Sequence, residues 1–236
     1  GGAVPDAEGE DLRRRGMLTW GAPRWPVLGT IVRIGAPAAA TGVVFSFIYV
    51  LLTRITTQFG TPALAALGLG FRMESVVYVA SVGMGAALAA IVGQSLGAGD
   101  APRAARAGWI STAIVSVVGL AMAIASLVFA EQFAGVFSDD PAVITEAARY
   151  LRISAFSQLF LGAEVVLESA MAGAGWTLVP MVLSTCITAL RLPVGAWAAA
   201  NWGTTGLWWT ISATAAARGV AMVGLWAWGR WRSARV

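Results

Sequence analysis

The 236-residue sequence contains no histidine and no lysine, so all sixteen basic residues are arginines, and Cys186 is its single cysteine. Without histidine or a second thiol, zinc and haem sites lack their usual ligands and an intrachain disulfide is impossible. No metal or organic cofactor is therefore expected. Charge is also scarce: 12% of residues are charged, against about 25% in soluble domains. The 28 glycines and nine prolines follow no Gly-X-Y period, which excludes a collagen-like chain. What fills the sequence instead is apolar: 58% of residues are hydrophobic and the mean hydropathy is +0.73. Apolar stretches of helical length exclude a disordered chain and imply a polytopic helical membrane protein. At roughly 20 residues per crossing, the length accommodates about six spans.

The formal net charge is +4. The arginines are spread between apolar runs and form no stripe or patch, so nucleic acid is not an expected partner. The first thirty residues carry Asp6, Glu8, Glu10 and Asp11, then Arg13, Arg14 and Arg15. This is not the basic start followed by a short apolar core of a signal peptide. Residues 1–30 are expected to be a solvated tail or an interior loop of a longer protein.

Six apolar runs are expected to span the membrane: 37–58, 62–97, 103–130, 142–172, 177–200 and 205–230, within a bundle covering 31–230 and followed by a short tail, 231–236. Strands are a poor alternative, because an open sheet cannot satisfy its backbone in lipid. The breaks are Gly60-Thr61-Pro62, Gly97 to Pro102, Ser138-Asp139-Asp140-Pro141, Gly173-Ala174-Gly175 and Asn201-Trp202-Gly203. Their Gly, Pro, Asp and Ser residues stop and cap helices. Gly93 with Gly97, and Ala215 with Gly219, are small-xxx-small pairs of the type that lets helices approach closely.

Six spans place both termini on one side. That side then holds Arg13, Arg14, Arg15, Arg24, Arg33, Arg103, Arg106, Arg230, Arg232 and Arg235, ten in all, against Arg54, Arg149 and Arg152 on the other. The positive-inside rule therefore puts both termini in the cytoplasm. Tryptophans near span ends, such as Trp109, Trp202 and Trp228, fit aromatic belts at the two interfaces.

Three arginines remain inside spans, Arg72, Arg191 and Arg218, together with three acids, Glu74, Glu164 and Glu168. A charge near the bilayer centre costs about 2.5–3.5 kcal/mol or more, so all six are candidate functional residues. Mutual neutralisation in ion pairs is the competing structural explanation. At about 1.5 Å of rise per residue, Glu74 lies roughly 18 Å from the outer side and Glu164 roughly 12 Å from the inner side, similar depths in a core about 30 Å thick. Glu164 and Glu168 are four apart and share a helix face with Ser157. Two carboxylates so close in a low dielectric resist joint ionisation, as a proton or sodium coupling site requires. Arg72 and Glu74 are two apart and point to different faces.

Several segments resemble the second six-helix half of the multidrug and toxic compound extrusion (MATE) family. They are Ala65-Ala66-Leu67-Gly68 into Arg72-Met73-Glu74; Gly83-Met84-Gly85; Val92 to Asp100, reading VGQSLGAGD; Ala170 to Pro180, reading AMAGAGWTLVP; Leu190-Arg191-Leu192-Pro193; and Gly206-Leu207-Trp208-Trp209. The likeness covers about residues 30–230. It implies an all-α fold in which this chain is one bundle of a twelve-helix transporter in the plasma membrane, preceded by the cytoplasmic loop that joins the halves. It also implies a secondary antiporter, not an enzyme. Such a transporter exports amphipathic, often cationic small molecules in exchange for protons or sodium, and needs an N-terminal six-helix half as partner.

Under this likeness Glu164, Glu168 and Glu74 are the candidate coupling carboxylates, and Arg72, Arg191 and Arg218 their charge partners. Tyr78, Met84, Met171 and Trp176 are candidates for a drug cavity, with ordinary helix packing as the competing explanation, and Gln94 is a candidate packing residue, with a helix-end role capping or bonding backbone beside the GAGD turn as its alternative. The acid that some family members carry early in this half has no counterpart, since Phe45 and Ser46 occupy that stretch. The acid common on the tenth helix aligns about one turn from Glu164. Two rival functions follow from the same residues: a lipid-linked oligosaccharide flippase of the superfamily, with a cationic cavity, and a non-transporting membrane scaffold or fragment. An intramembrane hydrolase is disfavoured, because no nucleophile has an evident base.

Overall fold

The computed structural model describes residues 42–233. Expectations for residues 1–41 and 234–236, including the acidic and basic tail, the start of the first span and Arg235, lie outside the described residues. Every regular element among the described residues is helical. Helix α1 is Gly42–Thr57. It is followed by α2 (Thr61–Gly97), α3 (Ala101–Val128), α4 (Ala130–Phe137), α5 (Pro141–Gly173), α6 (Leu178–Trp228) and a closing 3-10 turn, Arg230–Ser233.

The helix starts follow from local chemistry. Asp100 and Asp140 cap α3 and α5, their carboxylates accepting from the amides of Arg103 and Ala142 at 2.9 Å, with proline in the first turn of each helix. Such caps satisfy amides that the helix itself leaves unpaired. Between α3 and α5, where a plain connection was expected from residue 131, the chain forms the short helix α4. Phe129 leaves helical geometry (φ −109°, ψ 21°) and separates the two helices. Helix α4 buries Ala130 and Ala134, and its Glu131 pairs with Arg152 of α5 at 2.9 Å on the surface.

Helix α6 is long because its turn is short. Gly203 alone adopts non-helical angles (φ 63°, ψ −149°), a conformation with no steric cost only for glycine. The two arms fold against each other as a hairpin: a side chain on Gly195 would meet Leu207 and Thr210, and one on Gly206 would overlap the Ala198 carbonyl. Pro193 sits within the first arm.

Helix α5 is central. In its most apolar 18-residue window 61% is buried, against 28–33% in α2, α3 and α6. Bare glycines bring its neighbours to backbone distance. A Cβ on Gly173 would overlap the main chain of Ala89 in α2, one on Gly119 of α3 would meet the Gln158 carbonyl, and one on Gly219 of α6 would meet the Phe160 carbonyl. Of the expected close-contact glycines, Gly93 and Gly219 are used, whereas Gly97 has nothing within 4 Å of an added Cβ.

The interior has two apolar cores. One groups Leu52, Leu67, Leu69, Tyr150, Leu207 and Trp208, near the end that carries Gly60, Asp140 and Gly203. The other groups Leu88, Val92, Leu167, Met171, Met222 and Trp226, near the opposite end. There Trp231 folds back, stacks on Trp226 at 3.9 Å and donates its indole N–H to the Trp226 carbonyl. Between the cores lies a belt of buried polar side chains that includes Gln158, Glu164, Arg191, Ser212 and Arg218.

Candidate functional site

The polar belt is assembled from α2, α5 and both arms of α6. By residue count from the Gly60 and Gly203 turns, Glu74, Arg191 and Arg218 lie about 18–23 Å along their helices, near mid-membrane depth. Each is held differently.

Glu164, 4% exposed, accepts from Arg218 in an ion pair of 3.0 Å. Arg218, 7% exposed, also lies over the Phe45 ring at 5.7 Å. Among the described residues, Glu164 Oε2 and Arg218 Nε meet no hydrogen-bond partner. Glu168, partly exposed one turn further along α5, acts electrostatically on Glu164.

Arg191 is the most deeply buried charge, at 1% exposure. It meets no carboxylate within ion-pair distance among the described residues. Its Nε donates to Thr214 Oγ1 at 2.9 Å and its terminal nitrogen to the Ile211 carbonyl at 3.2 Å, and its guanidinium lies 5.9 Å over the Tyr49 ring. The second arm of the hairpin thus receives the cation that the first arm carries. Glu74, partly buried, accepts from the Tyr150 hydroxyl at 2.9 Å and feels Arg191 and Arg218 through space.

The structure therefore brings five of the six charged candidates into one belt and leaves one out. Arg72 points away, exposed, with its guanidinium 5.7 Å over Phe137. Two positions before the belt residue Glu74 is the wrong phase of the helix. Three of the four drug-cavity candidates meet in an apolar core and one does not. Met171 is fully buried in the Trp226 core with Met84 and Trp176 packed against it, while Tyr78 is exposed. An open cavity of about 600 Å³ lies elsewhere, along the α6 hairpin near its turn, walled by Trp197, Trp202 and Trp209. Gln94 is exposed, and its carbonyl accepts from the Ala98 amide in the turn that ends α2, as expected of a helix-end residue. Three partners escaped the sequence reading: Tyr150, Trp208 and Thr214. They are ordinary residue types, and only their placement across helices gives them a role.

The MatE family model matches residues 37–197. The chain belongs to the MatE family. Among curated MatE-type relatives, it is 30% identical to the multidrug resistance protein NorM of Burkholderia vietnamiensis over 220 residues, which is 89% of this chain and 47% of that protein. It is 29% identical to the probable multidrug resistance protein NorM of Thermotoga maritima over 77% of this chain and 39% of that protein. The chain spans about half the length of the curated relatives it matches. The fold is that of solved MATE transporters. The match to Vibrio cholerae VcmN in its bent form has a TM-score of 0.78 at 23% identity, covering 93% of this chain and 51% of that one. The match to the eukaryotic transporter AtDTX14 has 0.79 at 19%, covering 91% and 49%. This chain is thus a MatE-family multi-pass membrane protein, similar to multidrug transporters.

Proposed function

We propose that the chain is the C-terminal six-helix half of a proton- or sodium-coupled multidrug antiporter, with both termini in the cytoplasm and amphipathic, often cationic compounds as substrates. One observation carries the coupling. The belt contains three carboxylates, Glu74, Glu164 and Glu168, and two guanidinium groups, Arg191 and Arg218, so when all are ionised it has one negative charge in excess. A lone excess charge in low dielectric is disfavoured until a cation neutralises it. Binding a proton or sodium ion on one side and releasing it on the other converts a cation gradient into a change of belt charge. A cationic drug competes for the same neutralisation, which is the elementary requirement of exchange.

The flippase reading needs the opposite excess. Even with Arg72 the belt would reach only neutrality, and the exposed position of Arg72 leaves the excess negative, which weighs against that reading. In transporters built from repeats the substrate site forms between the halves, so the partner is the N-terminal six-helix half.

The test is substitution in the assembled transporter. Glu74→Gln, Glu164→Gln and Glu168→Gln are compared for cation-driven drug efflux at equal membrane levels. At least one of the three should abolish coupling; if all three support efflux at the unmodified rate, the belt is structural and the coupling reading is wrong.

A further inference from the structure

The Glu74 carboxylate and the Glu164 carboxylate differ in the chemistry of their partners. Glu164 faces a guanidinium, which has donors and no acceptor. If Glu164 took up a proton, the ion pair with Arg218 would be broken at a buried site. Glu74 faces a phenol. A tyrosine hydroxyl donates to a carboxylate and, by rotating, accepts from a carboxylic acid, so this bond persists in either state of the carboxyl group.

The placement of the phenol is built in from both sides. Gly70 and Glu74 are four apart on one face of α2, and the Tyr150 ring occupies the space where a Gly70 side chain would be, since an added Cβ there would overlap ring atoms. The bare turn of α2 is the shelf that brings the hydroxyl to Glu74 Oε1. On the other side the ring meets Trp208 edge to face, with centroids 4.9 Å apart at 84°. Trp208 in turn donates its indole N–H to Glu146 Oε1 at 2.8 Å, and Glu146 Oε2 pairs with Arg149 at 3.0 Å. Tyr150 and Trp208 are each 1% exposed, while the Arg149 side chain is 46% exposed. A continuous set of contacts therefore runs from the surface at the Asp140 end of α5 down to Glu74. Among the described residues, the other charged or titratable groups facing this pair are Arg191 and Arg218 from α6 and Tyr49 from α1.

We propose that Tyr150 is the positioning residue of Glu74: its hydroxyl holds Oε1 in place through cation uptake and release, and Trp208 with Glu146 fixes that hydroxyl relative to the surface. The proposal rests on the reading of Glu74 as a coupling carboxylate. Tyr150→Phe keeps the ring on its Gly70 shelf and removes the hydroxyl alone.

The experiment follows drug efflux from proteoliposomes that hold the chain with its complementary half, as a function of coupling-cation concentration. Tyr150→Phe should move the half-saturating cation concentration by at least about threefold while maximal rate and drug KM stay within about twofold. Glu74→Asp, which withdraws the carboxylate and keeps both groups, should do the same and serves if Tyr150→Phe fails to reach the membrane. In a Glu74→Gln background, Tyr150→Phe should add nothing, because both then act on a missing interaction. If Glu74→Gln keeps cation-driven efflux, the coupling role of Glu74 falls and the proposal with it. If Glu74→Gln is uncoupled but Tyr150→Phe matches the unmodified protein, or the two effects multiply, Glu74 keeps its role and the positioning role of Tyr150 is overturned.

Discussion

At the scale of single residues, the Glu164–Arg218 pair sets the energetics of the belt. Deleting one member of a buried pair leaves an uncompensated charge and costs about 3–5 kcal/mol, whereas deleting both often costs little. Glu164→Gln and Arg218→Gln should each lower the melting temperature of the detergent-solubilised chain clearly, and the double variant should recover most of the loss. Additive losses would show that the two groups do not stabilise each other. Arg72→Gln, by contrast, touches an exposed group and should change the melting temperature little. The same contrast explains what sequence could reveal about these residues. That six charges stand inside apolar runs is legible, because each is costly there. Which cation meets which acid is not, since it depends on helix rotation. Tyr150 and Thr214 carry no such cost and give no signal.

At the scale of helices, the bundle is seamed by glycine. An alanine at Gly173 or Gly219 pushes a methyl group into the neighbouring main chain, where the backbone cannot yield as a side chain would. Overpacking of this kind costs about 1–3 kcal/mol. Both variants should accumulate poorly or melt early, while Gly97→Ala should lie within about 0.5 kcal/mol of the unmodified chain; thermal melts read by the fraction remaining in solution check the ranking. The spacing of small residues announced two helices in contact, but Gly93 and Gly97 share one pattern and only Gly93 meets a neighbour. Periodicity marks a face, and it does not say how far along that face the crossing extends. Helix α4 was hidden for a different reason. Its residues begin where the apolar run ends, with Glu131 and Gln132 in the first turn, and the break at Phe129 has neither glycine nor proline to announce it.

At the scale of the molecule, the all-helical membrane class and the family were both legible, the first from hydropathy and the second from an ordered set of short motifs. Two predictions belong to this scale. Expressed alone in drug-sensitive cells, the chain should give no resistance, and co-expression with an N-terminal half should restore it; resistance from the chain alone, without a detectable homodimer, would sink the two-half reading. In a Cys186→Ala background, Ser138→Cys should react with an impermeant thiol reagent in whole cells and Ser233→Cys should not. The reverse pattern would invert the topology.

The single-residue turn at Gly203 also bears on how the protein is made. With no loop between its arms, the α6 hairpin must enter the bilayer as one piece, and Arg191 and Arg218 enter with it. Arg191 brings its own partners, because Thr214 and the Ile211 carbonyl lie on the opposite arm. Arg218 has none within the hairpin and depends on Glu164, which the ribosome has already delivered on α5. The order of synthesis thus supplies the acid before the base that needs it. Glu164→Gln should accordingly lower the yield of integrated hairpin during translation, an effect that restoring the acid in trans after synthesis would come too late to repair.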